Sequence, residues 1–419
     1  MSGGPLVIVG GSYAAMNVAA AARAAGYAEP IRLIGEEPVA PYHRPPLSKG
    51  LLSGKSDAAR LPLRAEAFYR EQGIDLVLGT RVDAIDRVDR RIVTAGGVRL
   101  DYGRLALAVG ARPRRLAVPG AALDGVVMLR SLADAEDLKS RLPAATSVVV
   151  VGGGFIGLEV AAVVAALGKP VAVVEAQARL LARAASAPLA EFVAAAHRAH
   201  GVTLVLNGTV AAIEGESGRV RAVRCADGRS LPADLVVIGI GVVPNVELAV
   251  ACGLSCPDGI EVDAQARTAD PAIVAAGDCT AHPSRHADGL LRLESVQNAV
   301  DQGKVAGSTI AGAARPHDAA PWFWSDQYDL KLQMVGLIRA GDQAVVRGDP
   351  ATGRFSVVHL RAGRVVAVES VNHPADHMAG RKLVAARASL TPEAATDIDV
   401  DLRVAASADP RDAAQEPRG

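Results

Sequence analysis

Glycines spaced as Gly152-x-Gly154-x-x-Gly157 follow four consecutive valines, Val148–Val151, and open an apolar run that contains Phe155, Ile156 and Glu159. Residues of these types at this spacing can hold a dinucleotide diphosphate. The first glycine permits a tight turn and the second lets backbone approach the phosphates. The third lets the following helix pack close to the strand. Free N–H groups and the dipole at that helix start favour an anion. A second apolar stretch, 171–174, ends in Glu175. An acid about 20 residues past the glycines accepts hydrogen bonds from ribose hydroxyls. The expected ligand is a nicotinamide or flavin dinucleotide.

A second constellation stands near the N-terminus, where Leu6–Val9 precedes Gly10-Gly11-Ser12-Tyr13-Ala14-Ala15. Gly10 keeps the turn, and the motif tolerates alanine at its third position. Ser12 replaces the middle glycine. Its Cβ crowds the phosphates or its hydroxyl donates to them, and the residues leave both open. Ile31–Ile34 then leads to Glu36 and Glu37, of which Glu36 is the favoured ribose acid. Two such constellations imply two dinucleotides on two related domains, a structural duplication being the alternative.

Other chemistry-bearing residues are scattered. Arg44 and Lys49 sit on a loop stiffened by three prolines over 40–49; a solvated lysine is the ordinary expectation, and the rigid presentation raises the odds of a role. The turn Ala108-Val109-Gly110-Ala111-Arg112-Pro113 closes the first segment, and Gly277-Asp278 ends a strand expected over 273–276. His197 and His200 lie three apart on a helix expected over 188–200, a spacing that suits a metal, but with no third ligand nearby a solvated helix face is expected. Cys279, His282 and His286 superficially look like ligands, yet no metal site is expected. Cys225, Cys252, Cys256 and Cys279 form no Cys-x-x-Cys pair, so reduced thiols are expected. The stretch 321–328 holds both tryptophans, which suggests a flat ligand or an interface.

Elements must position these groups. Strands are expected over 76–85, 105–109, 202–206, 210–214 and 231–239, with helices over 13–25, within 126–142, from 294 to about 311 and over 376–388. Half of the 419 residues are hydrophobic but only 3% aromatic, so the cores are built from Ala, Val and Leu, as in packed α/β layers. The length supports two or three domains. Balanced charge, 45 basic against 45 acidic residues, argues against a general nucleic-acid binder. No apolar run approaches the ~20 residues of a membrane span. A cytoplasmic protein is expected, with a polar, disordered tail from 405.

Together the two fingerprints, Arg44-Pro45-Pro46-Leu47-Ser48-Lys49, Gly277-Asp278, Glu294-Ser295-Val296-Gln297-Asn298 and the 322–328 run resemble the FAD-dependent, putidaredoxin-reductase-like ferredoxin reductases of bacterial oxygenase systems. These are relatives of the glutathione-reductase-type flavoproteins and of apoptosis-inducing factor. The resemblance implies an α/β fold of two Rossmann-like dinucleotide-binding domains plus a C-terminal α+β domain. It implies FAD on 1–108 and 242–320, NADH on 109–241 and a third domain over 321–404. In the FAD site it places Gly10, Ser12, Tyr13, Ala14, Ala15 and Glu36, with Arg44 and Arg112 contacting the cofactor. Val82, Ala108, Gly110 and Gly277 join them, and Asp278 holds the ribityl chain. Ser295 and Val296 start a helix that stabilises reduced flavin, and Trp324 lies against its ring. In the NAD site it places Gly152, Gly154, Phe155, Ile156, Gly157, Glu175, Arg183 and Gly241. Lys49 and Glu159 pair as the catalytic residues. Glu159 is expected in the first turn of its helix. Glu175 repels a 2′-phosphate, so NADH is expected over NADPH, with Arg179 and Arg183 softening the preference. The implied partner is a two-iron two-sulfur ferredoxin, and through it a terminal oxygenase, with Arg315, Arg381 and Lys382 as candidate contacts. An NADH oxidase or small-molecule reductase, or a flavin-bound sensor, are the other classes.

Overall fold

In a computed structural model the protein is described over residues 4–405. Residues 406–419, nearly all of the expected tail, lie outside the described residues. Compactness divides the chain into two units. The first comprises Met1–His43, Ala59–Arg112 and Val242–Pro321. The second comprises Arg44–Ala58, Pro113–Gly241 and Trp322–Gly419.

The first unit is built on a five-stranded parallel sheet in the order Ile273–Ala275, Arg104–Leu107, Leu6–Val9, Ile31–Ile34, Ile74–Val77. Leu6–Val9 is the middle strand and all four of its residues are buried, as a strand covered on both faces requires. The helices Tyr13–Ala24 and Val296–Ile310 pack together beside it. Two glycines allow that approach. A Cβ on Gly303 would stand 2.8 Å from the Ala14 carbonyl oxygen, and one on Gly307 would stand 2.4 Å from that of Val18. The continuous strand expected over 76–85 is instead two strands. Gly79, at φ +65°, turns the chain between Ile74–Val77 of the parallel sheet and Val82–Asp86 of a small antiparallel sheet.

The second unit repeats the theme with the parallel order Thr203–Leu206, Val171–Glu175, Val148–Val151, Leu235–Ile238, Val126–Met128. The strand expected over 231–239 also divides. Ser230–Pro232 joins an antiparallel sheet, whereas Leu235–Ile238 is buried beside Val148–Val151. Proline lacks the N–H that a continuous central ladder needs. A third element of this unit is the antiparallel sheet Trp322–Gln327, Leu330–Gly336, Arg364–Val371, Arg354–Arg361, Gln343–Asp349, backed by the helix Pro374–Ala386. Its apolar face shares one core with the parallel sheet, for Val150, Leu158 and Val173 belong to the same cluster as Leu332, Phe355 and Val371. Leu52, three residues past Lys49, enters this cluster too and ties Arg44–Ala58 to the second unit. The fold is thus α/β, with two Rossmann-like parts and a C-terminal α+β part. Among the described residues no helix is long and apolar enough to cross a membrane.

Candidate active site

Each unit holds one cradle at the end of its middle strand. In the first, Gly10 has φ +131°, and a Cβ there would lie 2.1 Å from the Ala108 carbonyl oxygen. Only glycine fits. Ser12 is the N-cap of Tyr13–Ala24 and is extended, but its side chain makes no capping bond. A helix start that its own N-cap side chain does not close suits an anion. Ala14 and Ala15 are buried, and a Cβ on Gly277, itself at φ +89°, would approach the Ala14 methyl to 3.1 Å. Gly277 donates its N–H to Gln302 Oε1 at 2.8 Å, and Thr280 donates its hydroxyl to the same oxygen. Gln302 Nε2 is buried without a partner. Flipping this amide would set its NH2 against the Gly277 N–H, so a buried donor remains beside the cradle. Such a donor fits a cofactor oxygen. No motif marks Gln302; helix packing alone brings it to Gly277.

The remaining first-unit candidates are less uniform. Glu36 is exposed, whereas Glu37 accepts from the Tyr42 hydroxyl at 2.7 Å. Tyr13 is buried, with its hydroxyl 2.7 Å from His43 Nδ1. Gly110 turns at φ +65°, and Asp278 is half-buried. Ser295 caps Val296–Ile310 by accepting from the Asn298 N–H. Val82 is buried opposite Thr94 in the antiparallel sheet. Arg112 is engaged elsewhere, with Asn245 Oδ1 at 2.8 Å and Glu247 at 2.7 Å. Arg44, Lys49 and Trp324 belong to the second unit. Arg44 donates to the Arg130 carbonyl at 2.6 Å, and the Trp324 ring lies 5.5 Å from that of Trp322.

In the second cradle Gly152 has φ +110°, with a notional Cβ 2.4 Å from the Gly239 carbonyl oxygen. One on Gly157 would lie 2.3 Å from the Gly152 carbonyl oxygen. One on Gly154 would meet nothing within 4 Å. Gly154 is the N-cap of Phe155–Ala166 and offers no side chain, so this helix start is also open to an anion. By contrast Ser131, Ser186 and Ser295 each cap their own helix by accepting from a backbone N–H. Glu175 already accepts from Gly153 N–H at 2.7 Å and Gln177 N–H at 2.8 Å, and a carboxylate retains further lone pairs for a ribose. Phe155 is half-buried and Ile156 is exposed. Arg179 is tied to the carbonyls of Ala182 and Ala185, whereas Arg183 is exposed near Gly241.

Glu159 lies in the second turn of Phe155–Ala166, not in the first. The N-cap is Gly154, which sets Glu159 five residues along. The helix dipole acts mainly within the first turn, so it explains little of this burial. Glu159 is only 3% exposed and is held by side chains. Lys49 Nζ lies 2.8 Å from Oε1, Ser325 Oγ donates to Oε1 at 2.6 Å, and Ser48 Oγ donates to Oε2 at 2.5 Å. A buried carboxylate is costly unless paired and hydrogen-bonded, and these three donors make it tolerable. Pro45–Ser48 forms a 3₁₀ turn that presents Ser48 and Lys49 in succession. Ser48 and Ser325 lie within the motifs that carry the resemblance, but no role is read for them from the sequence.

His197 does not lie on a solvated face. It is fully buried, and burial pushes its pKa down. Leu189 and Val193, earlier on the same helix, belong to the core that the C-terminal sheet shares, so the strand Trp322–Gln327 covers this face. Trp322 is flanked by the Arg381 guanidinium, 5.0 Å from its ring centre. All four cysteines are free thiols, and burial raises the Cys279 thiol to about 12. Among the described residues no three His, Cys, Asp or Glu side chains gather as metal ligands.

The pyridine nucleotide-disulphide oxidoreductase model matches residues 4–303, and the reductase C-terminal model matches residues 322–406. Rhodocoxin reductase of Rhodococcus erythropolis is 45% identical over 400 residues, covering 96% of this chain and 94% of that protein. The crystal structure of a ferredoxin reductase from Rhodopseudomonas palustris matches with TM-score 0.94 at 44% identity, covering 96% of this chain and 100% of that one. Putidaredoxin reductase, crystallised in a covalent complex with putidaredoxin, matches with TM-score 0.93 at 41% identity, covering 96% and 97% of the two chains. With two dinucleotide cradles and this extent of similarity, the chain belongs to the pyridine nucleotide-disulphide oxidoreductase family and carries a reductase C-terminal domain.

Proposed function

We propose that this chain is an NADH-dependent flavoprotein reductase that passes electrons through FAD to a two-iron two-sulfur ferredoxin serving an oxygenase. One observation carries the reading. Two glycine cradles occur in a chain whose first cysteine is Cys225, so two dinucleotides can be held and no dithiol near the first cradle takes electrons onward. We assign FAD to the domain made of 1–108 and 242–320, NADH to 109–241, and the C-terminal domain to 321–404. Free thiols support a cytoplasmic location.

Bound FAD supplies what no side chain can, accepting two electrons as a hydride and passing them on singly. The balance is one NADH and two oxidised ferredoxins giving NAD+, one proton and two reduced ferredoxins. The chain's own residues bind and orient. Gly152 and Gly154 bring backbone and a helix start to the NADH diphosphate, while Glu175 receives its ribose hydroxyls. Gly10, Gly277 and Gln302 do the corresponding work for FAD. Lys49 and Glu159 form a buried ion pair that holds the lysine charge in one place within the second unit. Similarity to reductases whose names specify rhodocoxin or putidaredoxin supports an iron–sulfur acceptor.

The test is NADH-driven reduction of a panel of two-iron two-sulfur ferredoxins, with ferricyanide as a control acceptor. At least one ferredoxin should be reduced much faster than oxygen. Turnover with oxygen matching the best ferredoxin would overturn the proposal in favour of an oxidase. Replacement of all four cysteines by serine or alanine should leave FAD reduction by NADH intact in a folded, flavin-loaded protein.

A further inference from the structure

A buried hydrogen-bond chain leads away from Glu159 within the second unit. Ser325 Oγ, which touches Glu159 Oε1, lies 3.1 Å from Gln327 Nε2. Gln327 Oε1 lies 2.9 Å from His197 Nε2, and His197 Nδ1 lies 3.0 Å from the Tyr328 hydroxyl. Ser325, Gln327 and His197 are each 1% exposed or less. The chain closes at the rim, where His200 stacks on Tyr328 with ring centres 3.7 Å apart.

The carboxylate dictates the direction of every bond. Paired with the Lys49 ammonium, it accepts and does not donate, so the single Ser325 proton points to Glu159. Ser325 must then accept from the Gln327 NH2, which turns the Gln327 carbonyl toward His197. A carbonyl only accepts, so His197 carries its proton on Nε2, and Nδ1 is left to accept from Tyr328. No amide can flip without setting donor against donor or acceptor against acceptor. A network satisfied in only one direction fixes one geometry.

We propose that Ser325, Gln327 and His197 are positioning residues for hydride transfer, locking the Glu159 carboxylate, and through it Lys49, in a single orientation. The inference rests on the catalytic reading of the Lys49–Glu159 pair. Packing alone does not require three buried polar side chains in series, because buried polar groups are costly unless satisfied. Misplacing a reacting group by about 1 Å can cost about a hundredfold in rate, so the lock has kinetic value.

The experiment uses the flavin-loaded protein, mixed rapidly with NADH in the absence of oxygen. Ser325→Ala deletes one hydroxyl and is the gentlest variant; Gln327→Leu breaks the chain one residue further out. Both should lower the limiting rate of flavin reduction about ten- to a hundredfold while changing the NADH dissociation constant less than about twofold. The ¹⁵N spectrum of His197, recorded in the flavin-free and loaded protein, should show one tautomer with the proton on Nε2, and Gln327→Leu should convert it to a mixture. Wild-type limiting rates in both variants would overturn the proposal, as would a His197 proton resting on Nδ1. Lys49→Ala separates the two levels. If it slows reduction and the two chain variants do not, only the positioning role fails. If it leaves reduction unchanged, the catalytic reading fails and the positioning role falls with it.

Discussion

The two cradles differ most at their middle position, Ser12 in the first and Gly154 in the second. Both are N-caps, both are extended, and neither supplies a capping side chain to its helix. The outer glycines behave differently. Gly10 and Gly152 have positive φ, and added Cβ atoms would collide with the carbonyls of Ala108 and Gly239. The fold itself demands glycine there. A Cβ on Gly154 meets no protein atom within 4 Å, so nothing in the protein requires a glycine at that place. A fingerprint is therefore two demands superimposed. Its first position serves the fold, and its middle position serves the ligand.

Breaking the first demand should have the largest effect. Gly10→Ala must hold alanine at φ +131° with its methyl 2.1 Å from a carbonyl oxygen. Strain of about 1–3 kcal/mol and overpacking of about 1–3 kcal/mol are a large part of an ordinary domain's stability. The thermal midpoint of the flavin-free protein should fall by on the order of 10 °C, and purified protein should carry little flavin. Gly152→Ala should act similarly. A midpoint within about 2 °C of wild type for both variants would remove the distinction.

Breaking the second demand should be milder and local. Gly154→Ala should cost less than about 1 kcal/mol of stability, the difference between glycine and alanine at an N-cap. It should raise the NADH dissociation constant about tenfold, equivalent to about 1.4 kcal/mol. Unaltered NADH binding in titrations would mean that the open space at Gly154 is not where the diphosphate sits.

What could be read from the residues follows the same division. Val148–Val151, Gly152 and Glu175 advertise themselves because strand burial, a positive φ and the acid proposed for the ribose fall within one short segment. The two parallel sheets were legible for that reason. Gln302, Ser48, Ser325 and Gln327 were not, since remote segments bring each to its partner. His197 was not legible as a buried residue because no third ligand stands near His197 and His200, which leaves a solvated face as the ordinary expectation, and only the C-terminal sheet reveals that the face is covered. The division of 76–85 was not legible because Gly79 is a lone glycine between the apolar residues 76–78 and the alternating residues 82–85, where it can mark either a bulge or a change of sheet.

The two proposed ribose acids extend the comparison. Glu175 is gripped by two backbone N–H groups, whereas Glu36 is exposed. Wild type should use NADH more efficiently than NADPH, since Glu175 repels a 2′-phosphate and only Arg183 of the two nearby arginines is left for it. Glu175→Ala should lower kcat/KM for NADH about tenfold and narrow the gap to NADPH, because it removes a charge and two loop contacts. Glu36→Ala removes one exposed acceptor, about 1 kcal/mol, so FAD affinity should fall only about fivefold. Equal efficiency of wild type with both donors refutes the role of Glu175.

The last test concerns Ser12, where the glycine variant should give the smallest effect. Its φ of −136° is open to any residue, and its side chain does not cap the helix that follows, so Ser12→Gly removes no capping bond. The backbone entropy of glycine costs the fold about 0.5–1 kcal/mol. A serine at the helix start can give its proton to a phosphate oxygen, and a hydrogen bond to a charged group contributes about 1.5–3 kcal/mol when fully formed. The same side chain brings a Cβ close to the phosphates, which offsets part of that gain. Ser12→Ala keeps the Cβ and loses the proton, so it should weaken FAD binding most, about tenfold. Ser12→Gly loses both the donor and the crowding, and should weaken binding only about threefold, near 0.7 kcal/mol. Fluorescence titration of the flavin-free variants with FAD measures both. Tighter binding by Ser12→Gly would show that crowding dominates, and that the first cradle is a poorer copy of the second rather than one adapted to its own ligand.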